Sequence, residues 1–254
     1  DTIGTQNVVL DADFSAQSEL TVMDLTHRST LSIGMIDDFD NDVTPRLATV
    51  LADSMVKCRF KLVTASSNEI SEAMAARELH MAVAASTDQV LEGIREYPLV
   101  RDPFILVTPR GAIEDPGDSR EKRSTLPFLR YTRDQLISRQ IEAHLARRNL
   151  DFEERFEIGS HLALMAMVAR RIGWTVTTPL GYMRAARFQD EIDAFPLPFD
   201  GFSRTISLFA AADWNDNVPR DIAQTVRHLV QRKMIGPAVT RLPWLAGELR
   251  VIEG

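Results

Sequence analysis

Four aspartates fall within six positions, Asp37, Asp38, Asp40 and Asp42, at the end of the stretch LSIGMIDDFDNDVTP (31–45). Carboxylates at this density could hold a metal ion, receive a cationic ligand, or cap the helix that Thr44 and Pro45 announce. The alternation Asp38-x-Asp40-x-Asp42 resembles the opening of a calcium loop. Such a loop needs a glycine next and a bidentate glutamate at its twelfth position, where this chain has Val43 and Thr49. The calcium reading therefore fails. Acidic side chains near a helix N-terminus are favoured by its dipole, which accounts for Asp42 and Asp40 as capping groups. Asp37 and Asp38 sit instead at the carboxyl end of a strand, the edge where open α/β sheets bind ligands.

The other reactive side chains are sparse. The five histidines (27, 80, 144, 161 and 228) have no metal-ligand spacing, and the single cysteine, Cys58, cannot form an intrachain disulfide. Cys58 lies in a strand-like stretch and reads as a structural thiol in a reducing compartment. Only His161, following a strand at the start of a helix, is placed for ligand contact, the plain alternative being a solvated first-turn residue. Gly-rich phosphate loops and a Gly-x-Ser-x-Gly elbow are absent, and no nucleophile–base pair stands out. The expectation is a protein that is not an enzyme and uses neither metal nor cofactor.

Hydroxyl-rich turns recur where strands end: TASSN (64–68), RYTRD (130–134), IGSH (158–161) and TVTTP (175–179). Each places hydroxyls and the free N–H groups of a helix start at one rim of a sheet. Singly they are N-caps. Four at matching positions point to a small-molecule cleft.

The elements that would position them alternate in type. Apolar runs at 31–36, 58–64 and 79–85 read as strands. The first linking helix is capped by Thr44 and carries Leu47, Val50, Leu51 and Met55 on one face; the second follows Ser66 and Ser67. Two further strands contain Pro98 and Pro103, which keep them near an edge or at bends. After a polar loop at 111–125, the order β–α–β–α–β recurs over 125–180, with Ser160 as a cap and Gly173 ending the second helix. RTISLFAA (204–211) is a strand, and Pro219 opens a helix with Ile222, Val226, Leu229 and Val230 inward. Strands joined through helices make parallel sheets, so the expected class is α/β with two Rossmann-like lobes and a ligand cleft between them. The division is a linker remnant at 1–29, a first lobe of 30–106 plus 209–254, and a second of 107–208, with crossings near 106–108 and 205–209.

Charge sets further bounds. The chain of 254 residues carries a net charge of −7, with 8 Lys/Arg against 17 Asp/Glu in residues 1–106 and near balance beyond. An acidic first segment argues against nucleic-acid binding by the chain itself. No apolar run approaches a membrane span, and no secretory signal is visible, which places the protein in the cytoplasm with no membrane partner.

The succession LSIGMIDDFDNDVTPRLATVLA, CRFKLVTASSNEISEAMAARELHMAVAA and YPLVRDPFILVTP resembles the regulatory half of LysR-type transcriptional regulators. LPFLRYTRDQLISRQIEAHL, ARRIGWTVTTP and FPLPFDGFSRTISLFAAADWNDNVP agree in order and spacing, so the resemblance covers roughly residues 30 to 235. It implies a type 2 periplasmic-binding-protein fold, a small-molecule effector between the lobes, and a homodimer or homotetramer. DNA would be bound only through an N-terminal winged helix-turn-helix that this sequence lacks. Effector contacts would fall at Ile36, Asp37 and Asp38, at Ser66, Ser67 and Asn68, at Tyr131, Thr132 and Arg133, at Ser160 and His161, and at Thr177 and Thr178. The helix from Thr44 and the strand from Cys58 are the implied dimer face, and the extension past 235 either packs on its own lobe or makes a dimer contact. Two aspartates at the mouth would repel the carboxylates common in the family unless Arg133 or Arg187 offsets them. The effector is therefore expected to be cationic or neutral, or the aspartates turn outward into capping. The rival readings are an exported solute-binding protein of a transporter and a two-lobed enzyme on the same scaffold.

Overall fold

The computed structural model describes residues 30–115 and 125–254. The linker expected over 1–29 and residues 116–124 of the polar loop lie outside the described residues. β1 (Thr30–Met35) is buried from its second residue onward, because the apolar run has a strand on each side. Its neighbours β2 (Arg59–Thr64) and β3 (Met81–Ala85) are both parallel to it. They are reached through α1 (Thr44–Ser54) and α2 (Ser67–Ala75). β4 (Ile94–Pro103) and the later strand β10 (Ser203–Ala211) pair antiparallel with one another, and β10 lies against β3. The resulting order is β11-β4-β10-β3-β1-β2, where β11 (Arg250–Val251) is a short edge strand from the tail.

A second strand system holds β5 (Ile105–Pro109) between β8 (Thr175–Thr177) and β9 (Ile192–Pro196), all antiparallel. β6 (Leu129–Tyr131) runs parallel to β7 (Phe156–Ile158). A parallel bridge from Phe128 to Trp174 ties the two pieces together. Here α3 (Leu136–Arg147) and α4 (His161–Ala169) link β6, β7 and β8, and α5 (Pro179–Arg184) follows β8. The spatial series β7-β6-β8 thus reproduces β2-β1-β3, so the repeated β–α–β–α–β order in the sequence is a repeated architecture.

The chain passes between the strand systems at Phe104 and again over residues 197–202, a few residues ahead of the expected crossings. Arg204 and its neighbours therefore belong to the large sheet rather than to the second lobe. The crossings are fastened to each other. The Phe104 N–H donates to the Phe202 carbonyl at 2.9 Å, and the two rings stack with centroids 4.0 Å apart. His144 from α3 stacks on the other face of Phe202 at 3.8 Å and meets the Asp200 carbonyl through Nε2 at 2.7 Å. Burial pushes the His144 pKa down, which keeps the ring neutral and suited to an aromatic stack.

Several local features differ from expectation for visible reasons. Val43, not Thr44, precedes the first turn of α1, because a 3-10 turn at Asp37–Phe39 runs into the helix and leaves no extended residue to act as a side-chain cap. Thr44 Oγ1 is buried without a partner. Nor do the aspartates cap α1: Asp40 accepts a hydrogen bond from Thr64 Oγ1 at 2.8 Å, and only the backbone carbonyl of Asp42 is engaged, by Arg46. Helix α4 ends before Gly173, through Arg171 at φ 65°. Gly173 is needed for another reason, since a Cβ there would lie 2.3 Å from the Pro127 carbonyl. Pro98 sits beside a register shift between β4 and β10, and the two-residue β11 pairs only at Val100 and Arg101, so neither proline is asked for an amide it lacks.

Helix α6 (Asn217–Val230) buries Ile222, Val226 and Val230 and packs on β4, β10 and α1. A π-helical segment (Gln231–Ile235) and α7 (Gly236–Arg241) carry the chain on, and Leu245 and Leu249 are buried as β11 covers the β4 edge. The tail thus packs on its own sheet. Among the described residues, no strand lies beyond β2 at the opposite edge.

Candidate functional site

The carboxyl ends of β1, β2, β6 and β7 open onto one cleft of about 340 Å³ between the two strand systems. Three helix starts surround it. Ser66 Oγ caps α2 by accepting the Glu69 amide at 3.4 Å, and Ser160 Oγ caps α4 by accepting the Ala163 amide at 3.2 Å. α3 begins at Gln135 without a side-chain cap, and Gln135 Nε2 instead donates to the Gly159 carbonyl at 2.9 Å. Thr178 caps α5 just behind the cleft, through the Gly181 amide. Each start leaves first-turn amides without an intrahelical partner, and residues of all three first turns line the cavity.

The floor is a buried ionic network. Asp38, 4% exposed, accepts from Arg204 NH2 at 2.6 Å and lies 3.1 Å from His161 Nε2. Arg204 also donates through Nε to Asp102 at 2.8 Å and through NH2 to Thr178 Oγ1 at 3.1 Å. Asp102 and Arg204 are cross-strand partners in β4 and β10, which is why one guanidinium reaches both carboxylates. The second oxygen of Asp102 accepts the Leu180 amide at 3.3 Å. The network continues through Tyr131, whose hydroxyl is 2.6 Å from both His161 Nδ1 and Thr177 Oγ1. α5 presses on this side: a Cβ at Gly181 would lie 2.7 Å from His161 Nδ1, so the position admits only glycine without movement.

The electrostatics follow from this packing. Burial alone would raise the Asp38 pKa, but the facing charges of His161 and Arg204 more than reverse it and hold the carboxyl well below the usual range. Asp102 is pushed up by burial, which its half share in Arg204 does not fully offset. Burial also drives Tyr131 far above the ordinary phenol range, so it serves as a neutral hydrogen-bonding group and not as a base. At the rim, Asp37 meets Arg184 of α5 at 3.4 Å.

Of the residues expected at the site, Ile36, Asp37, Asp38, Ser66, Ser67, Asn68, Tyr131, Ser160 and His161 line this one cleft. Four do not. Arg133 is exposed and ion-paired with Glu154 and, at 2.9 Å, Glu157. Thr132 lies beneath Gly159, outside the lining. Thr177 and Thr178 are wholly buried behind Tyr131 and Arg204, where they support the network instead of facing the cavity. The cation that offsets Asp38 is neither Arg133 nor Arg187, which lies over the Phe188 ring; it is Arg204. Arg204, Gln135, Gly159 and the α3 start also line the cleft, unanticipated. A signal for Arg204 existed: it is the one charged residue in the β10 sequence SRTISLFAA. No group of three or more His, Cys, Asp or Glu side chains able to hold a metal occurs among the described residues.

Residues 26–230 match the LysR substrate binding domain family. The chain belongs to that family. Its LysR-type fold recurs in solved structures. An OxyR cysteine-to-serine mutant from Corynebacterium glutamicum, bound to hydrogen peroxide, superposes with a TM-score of 0.69 at 15% identity, over 92% of this chain and 74% of that one. The effector binding domain of QuiR in complex with shikimate gives 0.65 at 12% identity, over 81% and 98%. Reduced OxyR from N. meningitidis gives 0.65 at 15%, over 88% and 99%. No curated protein matches the sequence. At these identities the likeness establishes the type 2 periplasmic-binding-protein-like fold, with two α/β halves, for this LysR-type domain.

Proposed function

We propose that this LysR-type domain senses a small-molecule effector in the cleft floored by Asp38, Arg204 and His161, and relays its presence to a DNA-binding domain elsewhere in the full-length regulator. The carrying observation is the convergence of three helix starts and a buried, fully paired ionic floor on one polar cavity. Such a site is preorganised for a guest, and the carboxylates, guanidinium and tyrosine of its floor are committed to one another, which favours sensing over turnover. The QuiR domain in its complex with shikimate is a neighbour whose effector is named; the cleft here is read in the same sense. Peroxide sensing by a disulfide is disfavoured, since Cys58 is the sequence's only cysteine and burial raises its thiol pKa.

The lobes divide, on this reading, at the stacked pair Phe104 and Phe202, with 30–103 and 203–254 in the first and 105–196 in the second. The signal travels by rearrangement of a homodimer or homotetramer, with α1 and the β2 edge, unpaired among the described residues, as the subunit contact. The protein works in the cytoplasm, where regulators meet DNA; no helix among the described residues is long and apolar enough to cross a membrane.

A thermal-shift screen of metabolites against the wild type and a cleft-filling Ser67→Trp variant tests the reading. Compounds that stabilise the wild type and not the variant support it. Stabilisers that act equally on both place the guest elsewhere.

A further inference from the structure

We propose a second ligand site, separate from the cleft, that takes a zwitterionic amino acid with an aliphatic or aromatic side chain. It lies where α2 ends, β3 and β4 begin and β10 finishes, at the opposite end of the large sheet from the cleft. The proposal stands apart from the effector-binding reading. A cavity of about 150 Å³ opens there, with room for about five waters or for one branched or aromatic side chain.

The walls of this cavity are apolar and held in place. Met74, Leu79 and Trp214 are buried, and Ile94 is half-buried. His80 stands edge-on to the Trp214 ring, with centroids 6.1 Å apart. Its Nδ1 accepts the Ser32 amide at 2.8 Å, which ties this corner to β1. Such walls are formed before a guest arrives. Each methylene that a guest buries against them strengthens binding about fourfold.

The rim carries both signs of charge. Arg77 follows α2 in the left-handed conformation, at φ 57°. Its guanidinium reaches the start of β4, since a Cβ at Gly93 would lie 3.1 Å from Nη2. Glu92 stands next to that glycine, and Asp213 lies just after β10. None of the three has an ion pair among the described residues. An apolar acid would meet Arg77 but also two carboxylates, and an apolar amine would meet the carboxylates but also Arg77. A zwitterion answers both signs, with its carboxylate on Arg77 and its ammonium on Glu92 or Asp213. The rim is exposed, so each charge contributes about two- to fivefold in affinity.

Calorimetric titration with L-leucine and L-phenylalanine tests this. The controls are their deaminated forms isocaproate and hydrocinnamate, their decarboxylated forms isopentylamine and phenethylamine, and glycine. At least one of the two amino acids is expected to bind, about fivefold or more tighter than glycine and than either of its single-charge analogues. Arg77→Gly, which suits the left-handed backbone, is expected to weaken that binding about two- to fivefold without lowering thermal stability. Glu92→Gln combined with Asp213→Asn weakens it at least as much, and Ser67→Trp in the cleft leaves it unchanged. No binding by either amino acid overturns the inference. So does glycine or a single-charge analogue binding as tightly as the amino acid, or binding that Arg77→Gly does not weaken. None of these results touches the effector-binding reading. Loss of binding on Ser67→Trp places the amino acid in the cleft, which overturns the second site and supports that reading.

Discussion

Replacement of Arg204 by methionine isolates the ionic floor. Met keeps much of the apolar stem volume and removes the guanidinium from a position where it is 3% exposed, leaving Asp38 and Asp102 buried without their shared cation. Breaking a buried pair in this way costs about 3–5 kcal/mol. For a chain of this length one kcal/mol moves Tm by about 2–4 °C, so a fall of about 6–20 °C is expected. The pH dependence gives the mechanism its signature. Asp38 is held below its unfolded value in the wild type, so its contribution is complete above about pH 4 and is lost as pH falls through the folded value. Asp102, raised by burial, contributes with the opposite sign, which makes the difference between variant and wild type the useful readout. Without Arg204, Asp102 is left to burial alone and favours the protonated form, while Asp38 keeps only His161 against its burial. The penalty is then largest at pH 7 and shrinks toward pH 4.5. Adding Asp38→Asn and Asp102→Asn to Arg204→Met removes both unpaired charges and should restore stability to within about 2 kcal/mol of wild type. Urea titration at the two pH values measures all of this. A penalty below about 1 kcal/mol, an equal penalty at both pH values, or a triple variant less stable than the single one would refute the reasoning.

Phe104→Ala empties one member of the stack that joins the two crossings, and a loss of about 3–5 kcal/mol is expected in urea titration. Ser160→Ala removes the α4 cap seen at the Ala163 amide and should lower stability by about 1 kcal/mol by the same measurement. Arg133→Ala severs only exposed ion pairs with Glu154 and Glu157, so stability should change by less than about 1 kcal/mol. The affinity of any cleft binder, followed by calorimetry, should not move with it; a large loss would restore Arg133 to the site.

The fold was legible because its signals are local. Apolar runs such as residues 79–85 have no polar face to misread, and Ser66 and Ser160 cap as their positions suggest. The repeated strand–helix order translated directly into two similar strand series, β2-β1-β3 and β7-β6-β8. Boundaries were harder, since Thr44 looks like a cap until the turn at Asp37–Phe39 is seen to run into α1. Most of the cleft could be located from turns at strand ends, but its chemistry could not. Asp38 owes its neutralisation to Arg204, which is 166 residues away and reaches it only through the register of β10 against β4. Thr177 and Thr178 occupy the expected strand end yet lie one layer too deep, a matter of packing that no spacing reveals. The expectation of a cationic or neutral guest, or of outward aspartates, turns on whether Arg133 or Arg187 offsets the carboxylates, whereas Asp38 points inward onto Arg204 and His161.

Amide chemical-shift mapping with a binder from the thermal-shift screen tests the central claim most directly. Binding in the cleft predicts the largest shifts at Ser66–Asn68 and at Gly159–His161, from both halves of the protein in the same titration. Shifts confined to one half, or gathered around Trp214 and His80 where β3 begins and β10 ends, would contradict it.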